Sequence, residues 1–246
     1  MNLKLAQRSE SRMRVALCGP SGSGKTYSAL ELAFGLTRNN YIAIVDTESG
    51  SASLYSHLGE YYVVELSSPF TPERYIEAME LCVHAGADVV ILDSLSHEWD
   101  GSGGILETHG SMPGNSFANW SKFTPRHNRL MESMNSLPAH LIATVRTKQD
   151  YVLSQNNGKT IPEKVGLKPI QRDGIDYEFT LVFDLDRQNR ATVSKDRTGM
   201  FYHQTPGVLT RDTGRKLLSW SEASHPESPK DVLFELNKTF STNGKH

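Results

Sequence analysis

Gly19-Pro20-Ser21-Gly22-Ser23-Gly24-Lys25-Thr26 follows a short apolar run, Arg14–Cys18, and leads into a helical pattern that lasts to about Thr37. The stretch fits G-x-x-x-x-G-K-[ST], and the strand before it and helix after it are the context that pattern requires. Glycines let the backbone turn so that successive N–H groups converge on anionic oxygens. The helix that follows presents its positive end to the same anion. Residues of this type at this spacing imply phosphate binding, with Lys25 reaching the β- and γ-phosphates and the Thr26 hydroxyl turned to Mg²⁺. Gly19, Pro20, Ser21, Gly22, Ser23, Gly24, Lys25, Thr26 and the adjoining Tyr27 are the expected ligand contacts.

Outward from this loop, apolar runs at Tyr41–Asp46, Tyr61–Leu66, Asp88–Asp93 and Leu141–Val145 read as strands. The helix from Lys25 carries a broad apolar stripe that includes Ala29, Leu30, Leu32, Ala33 and Leu36. A second helix starts at Thr71 as N-cap with Pro72 in its first turn, and ends near Ala85–Gly86. Ser94–Ser116 is Gly-rich and reads as a long functional loop. A helix over Phe117–Ser136 is expected to kink or break at Pro125. Asp150–Gly174 reads as a loop or an exposed hairpin. Phe179–Asp186 and Ala191–Lys195 read as strands joined by a turn at Arg187–Arg190. Gly214–Trp220 is a short helix and Lys230–Phe240 a weak helical pattern. Alternating strands and helices imply an α/β fold with a mainly parallel sheet flanked by helices, extended by antiparallel strands on the C-terminal side. The expected division is an N-terminal arm (1–12), one domain (13–220) and a C-terminal tail (221–246).

The 246 residues are enough to bury a core without metals or disulfides. Cys18 and Cys82 are the only cysteines, which excludes a disulfide framework and a zinc ribbon. A net charge of −2 excludes a uniformly basic coat for nucleic acid, though not a local basic face. No apolar run approaches a membrane span and the first residues are polar, so a cytoplasmic location is expected. His97-Glu98 lacks the following histidine of a zinc protease, and there is no G-x-S-x-G elbow.

Asp93 ends the apolar strand Val89-Val90-Ile91-Leu92, a position that delivers a carboxylate toward Mg²⁺ beside the phosphates. The residue after it is Ser94, so no glutamate stands there to orient an attacking water. Glu48, after the strand ending at Asp46, and Glu98, five residues past Asp93, compete for that role; Glu48 is preferred because a strand end next to the loop faces the γ-phosphate.

Gly19–Thr26, Asp46-Thr47-Glu48 and Asp93-Ser94, in this order, resemble the RecA-core ATPases, in which the catalytic glutamate follows the second core strand. Further stretches, Pro69–Tyr75, Asp93–Gly104, Trp120–Asn128, Arg146–Tyr151 and Val165–Phe179, resemble the small single-domain ATPases of phages and prophages, some of them single-strand annealing recombinases. The resemblance implies ATP or ADP with Mg²⁺ as ligands and a phage-infected or bacterial cell as setting. Ser194-Lys195-Asp196-Arg197-Thr198-Gly199 resembles the K-x-R-x-G string with which ring-forming relatives reach a neighbour's γ-phosphate. That implies a homo-oligomer, ring or filament, with Lys195 and Arg197 acting in trans. Thr144 falls where relatives carry a polar γ-phosphate sensor, with Arg146 an equal candidate. Segment 146–172 has six basic residues and two acids, +4 against −6 on the rest of the chain, and follows the strand whose loop faces DNA in relatives. It is the expected contact for single-stranded DNA. A small-molecule kinase and a non-catalytic ATP-binding assembly factor remain the alternatives to a DNA-stimulated ATPase.

Overall fold

The computed structural model describes residues 11–156 and 159–223, as backbone only over 151–156 and 159–165. The N-terminal arm before residue 11 and the helical pattern at Lys230–Phe240 lie outside the described residues.

The sheet is built on strands whose every residue is buried: β1 (Arg14–Gly19), β2 (Ile42–Asp46) and β4 (Val89–Asp93). Near-continuous apolar runs of this kind are what a strand covered on both faces needs. With β3 (Tyr62–Glu65), β5 (His140–Asn156), β7 (Leu181–Leu185) and β8 (Ala191–Asp196), the order is β3-β2-β4-β5-β1-β7-β8. All neighbours pair in parallel except β7 with β8. The back hairpin thus extends the sheet as expected, and its first strand is itself parallel to β1.

Alternation along the strands splits the core in two. Val15 and Leu17 of β1, Ile42 and Ile44 of β2 and Val89 and Ile91 of β4 face α1 (Lys25–Leu36) and Leu217 of the last helix. The intervening residues, among them Ala16, Cys18, Val90 and Leu92, face α2 (Pro72–His84) and Leu130, Met131 and Met134 of a long helix. The last helix, Arg211–Glu222, lies so close to α1 that a Cβ on Gly35 would sit 2.0 Å from the Arg211 carbonyl oxygen. A Cβ on Gly214 would sit 2.3 Å from that of Leu32, so both positions need glycine.

Three expectations are corrected. Ser94–Ser116 is not a structureless loop: it holds α3 (Ser96–Asp100) and α4 (Ile105–Gly110). Pro125 does not break its helix, and α5 runs unbroken over Ser116–Ser136. The carbonyl that Pro125 leaves unpaired belongs to Ser121. Both residues line an open cleft of about 1040 Å³, where solvent reaches that face. The fifth strand does not stop at Val145. β5 leaves the sheet after Arg146 and pairs antiparallel with β6 (Lys159–Pro169), which decides for the hairpin over the loop. The last helix, α6, is longer than its sequence pattern. Among the described residues no helix is long and apolar enough to cross a membrane.

Candidate active site

The carboxyl ends of β1, β4 and β2 meet at one edge of the sheet, the position where parallel α/β sheets bind ligands. β1 stops at Gly19 and the chain turns through Gly22 (φ 77°) and Gly24 (φ 76°) before α1 begins. Gly24 occupies the N-cap without a side-chain cap, and the first turn holds no acid, so the helix's positive end is left for an anion. The Lys25 ammonium donates to the Pro20 carbonyl oxygen (2.9 Å), curling back over the loop it would share with phosphates. Burial lowers its pKa, against an upward pull from Asp93 and Glu48. The Ser23 hydroxyl is buried inside the loop with no partner.

Asp93 is buried at the end of β4 and takes two hydroxyl hydrogen bonds. Thr26 Oγ1 donates to Oδ2 (2.7 Å) and Thr144 Oγ1, from β5, to Oδ1 (2.5 Å). Burial raises its pKa although both hydroxyls oppose this. A divalent cation beside it would compensate the buried anion. A hydroxyl and a carboxylate are the hard oxygen donors Mg²⁺ takes from a protein, the rest coming from water and phosphates. Thr26 and Asp93 therefore fit the ion. Among the described residues no cluster of three or more His, Cys, Asp or Glu could hold a metal alone.

Asp46, Thr47 and Glu48 follow β2 side by side with this group. Asp46 fixes the turn by accepting from the backbone N–H groups of Glu48 (2.6 Å) and Ala52 (3.0 Å). Thr47 is locked to the β4 end: its hydroxyl accepts from the Ser94 N–H (2.8 Å) and meets His97 Nδ1 (2.8 Å). Glu48, half-buried, is held by Arg146 of β5, whose Nε donates to Oε1 (2.9 Å) and whose Nη2 lies 2.8 Å from the same oxygen. Burial alone would raise the Glu48 pKa, but Arg146 outweighs it and the net shift is downward. No hydrogen bond among the described residues uses Oε2.

Glu98 is placed elsewhere. It is fully buried between α3 and α5, accepting from Gln171 Nε2 (3.0 Å) and paired with His127 Nδ1 (3.0 Å). Each of its oxygens is engaged by a side chain from outside the phosphate loop. Of the two competing glutamates the structure brings only Glu48 to the phosphate loop.

Arg197 stands at the opposite end of the sheet, and Lys195 is level with Ala16 in the middle of β1. Lys195 pairs with Val182 near the start of β7, and its ammonium donates to the Asp176 carbonyl oxygen (2.6 Å). The Arg197 N–H donates to Thr180 and that of Thr180 to Arg14, so Arg197 is level with the start of β1. At about 3.3 Å per residue, the rise from Arg14 to Gly19 is about 16 Å, farther than one side chain spans.

Among the described side chains of segment 146–172, Arg146 is paired with Glu48 and Lys168 with Asp173 (2.7 Å). The cleft beside the hairpin is lined by Trp99 and Trp120, stacked at 5.9 Å, with Lys148, Lys168 and Arg172 against Asp100, Asp150 and Asp173. Phe117 on its rim is 88% exposed. Sequence reasoning did not single out Tyr55, whose ring meets that of Tyr27 edge-on at 6.3 Å beside the loop. Nor did it give Arg146 its place on Glu48; its position two residues past Thr144, where β5 leaves the parallel sheet, was the available signal.

A glycine phosphate loop between β1 and α1, with a threonine hydroxyl and a strand-end aspartate in contact behind it, defines a P-loop nucleotide-binding protein. Residues 11–214 match the family model described as an AAA domain. The match spans most of the chain, which belongs to this family of AAA-type P-loop ATPases. A comparison with curated proteins gave no match.

Proposed function

We propose that the protein hydrolyses ATP to ADP and phosphate as a homo-oligomer and binds single-stranded DNA, in recombination or replication of the phage type. The observation that carries the hydrolytic part is the joined cluster Thr26–Asp93–Thr144 beside Lys25, with Glu48 across from it and one oxygen unused. Residues 13–220 are taken as one ATPase domain.

The loop N–H groups and Lys25 bind the phosphate chain. Thr26 and Asp93 hold Mg²⁺, which when bound neutralises charge on the phosphates. Glu48 orients water through Oε2 and takes its proton as the water oxygen bonds to the γ-phosphorus and the β–γ bridge opens. Thr144 holds the Asp93 carboxylate in place. Tyr27, next to Thr26 in the first turn of α1, adjoins the phosphates. Lys195 and Arg197 serve the site of an adjacent subunit, Arg197 standing too far from its own loop. DNA contact rests on the charge of the 146–172 hairpin and on the aromatic rings of the adjoining cleft.

The test is phosphate release from Mg·ATP with and without single-stranded DNA at two protein concentrations. The expected result is DNA stimulation and a rate per subunit that rises with concentration. Glu48→Gln should cut turnover by roughly 10²–10⁴-fold with nucleotide binding retained, and Glu98→Gln should not reproduce that pattern. A DNA-independent rate, flat per subunit, would remove the DNA and trans readings together. Phosphate found on an acceptor instead of free would make the protein a kinase.

A further inference from the structure

The turn between β7 and β8 is held against the phosphate loop. The Leu185 carbonyl oxygen lies 2.9 Å from where a Cβ on Gly19 would be. At the other end of the loop, a Cβ on Gly24 would fall 2.6 Å from Asn189 Nδ2 and 3.6 Å from Asn189 Cβ. The Asn189 side chain thus lies flat on the glycine that precedes Lys25.

The turn that carries it is rigid. Asp186 accepts from the N–H groups of Gln188 (2.9 Å) and Arg190 (2.9 Å) and from Arg190 Nε (2.8 Å). The Asn189 N–H donates back to the Asp186 carbonyl oxygen (3.1 Å), and Asn189 itself takes φ 60°. Yet its side-chain amide, with a carbonyl and two N–H groups, takes part in no hydrogen bond among the described residues. Asparagine tolerates this backbone, so the turn explains its conformation. The turn does not call for an amide at the ligand loop, where Asn189 is exposed and open to a ligand.

Strand order says which part of a nucleotide this amide faces. Asp93 and Glu48 come from β4 and β2, both on one side of β1, and β7 is on the other. The terminal phosphate and the cation belong on the Asp93 side, so the nucleoside end of the phosphate chain is directed toward β7. An amide with both donor and acceptor suits ribose hydroxyls or a base edge, where a phosphate needs donors only.

We propose that Asn189 is a nucleotide-contacting residue that hydrogen-bonds the nucleoside end of the bound nucleotide. The inference rests on the nucleotide-site reading above and adds a contact from outside the phosphate loop.

Asn189→Gly tests it cleanly, because glycine adopts φ 60° at no steric cost and removes only the side chain. The probe is a fluorescent ADP analogue displaced by ADP or by inorganic tripolyphosphate. The variant is expected to bind ADP about 5–10-fold more weakly, to bind tripolyphosphate within about twofold of the parent, and to keep its ligand-free melting temperature. An unchanged ADP affinity overturns the proposal. Equal weakening toward ADP and tripolyphosphate also overturns it, since Asn189 would then only shape the loop. A parent protein that binds neither ligand would overturn the nucleotide-site reading itself, an outcome visible before any variant is made.

Discussion

His140 is buried at the start of β5, where Nδ1 accepts the Met13 N–H (3.0 Å) and Nε2 has no partner. Burial first, and the Arg12 charge second, push its pKa down to about 4 from 6.5. Between those values the unfolded chain binds the proton and the folded one does not, so stability is complete above pH 6.5 and falls as pH drops toward 4. The loss amounts to about 3 kcal/mol at most. Urea melts at pH 7.5, 5.5 and 4.5 should show it in the parent. His140→Gln, which keeps an acceptor but cannot titrate there, should lose much less over the same range. Other single residues differ in how far sequence exposes them. Lys25, Thr26 and Asp93 are legible because a phosphate loop fixes their spacing and a strand end fixes the carboxylate. Between Glu48 and Glu98 the sequence offers only a preference, for Glu48 at its strand end. What removes Glu98 is its burial against His127 and Gln171, 29 and 73 positions away in the chain.

Between elements, the contact that joins α2 to α5 is a bidentate one. Arg126 Nε and Nη2 each donate to a Glu73 oxygen at 2.7 Å. These bonds hold the Glu73 carboxyl at about 2, below its ordinary 4.5. A depressed carboxyl stabilises the fold fully above 4.5 and stops doing so as pH falls through about 2. Both side chains are more than a third exposed, so solvent screening keeps the contribution near 1 kcal/mol or below. Glu73→Gln should therefore melt a few degrees below the parent at pH 7, and the gap should close as the pH is taken toward 2. The elements themselves were readable where their own residues decide them. Thr71 caps α2 and Pro72 opens it, as their types dictate. α3, only five residues long, is too short to show a period, and Ser96 at its start is tied to β5 by accepting the Arg146 N–H (2.9 Å). Pro125 signals a kink or a break by local rules, yet α5 continues through it, with the carbonyl it leaves unpaired facing an open cleft.

Across the whole molecule, the hairpin β7–β8 forms one edge of the sheet and runs along the strands between its two ends. Its turn presses Asn189 on this chain's phosphate loop, while Lys195 stands level with the middle of β1 and Arg197 at the far end. A head-to-tail assembly would bring that far end to the next loop, and such a heterologous contact closes into a ring or extends as a filament. A cation supplied there stabilises charge on the transferring phosphoryl group, worth roughly 10³–10⁵ in rate where it has been removed from related chemistry. The motif strings alone say nothing of distance; it takes the antiparallel pairing of β8 to separate Arg197 from Gly19. Mixing separates action in cis from action in trans. Lys25→Ala has a dead loop but intact Lys195 and Arg197; Arg197→Ala has an intact loop and lacks the arginine. Each alone should be nearly inactive, Arg197→Ala while still binding ATP. In an equal mixture about one interface in four joins an intact loop to an intact Arg197, so phosphate release should recover to about a quarter of the parent rate. If the mixture stays as inactive as its parts while the two variants demonstrably co-assemble, Arg197 does not act on a neighbour. The far end of β8 would then serve assembly alone.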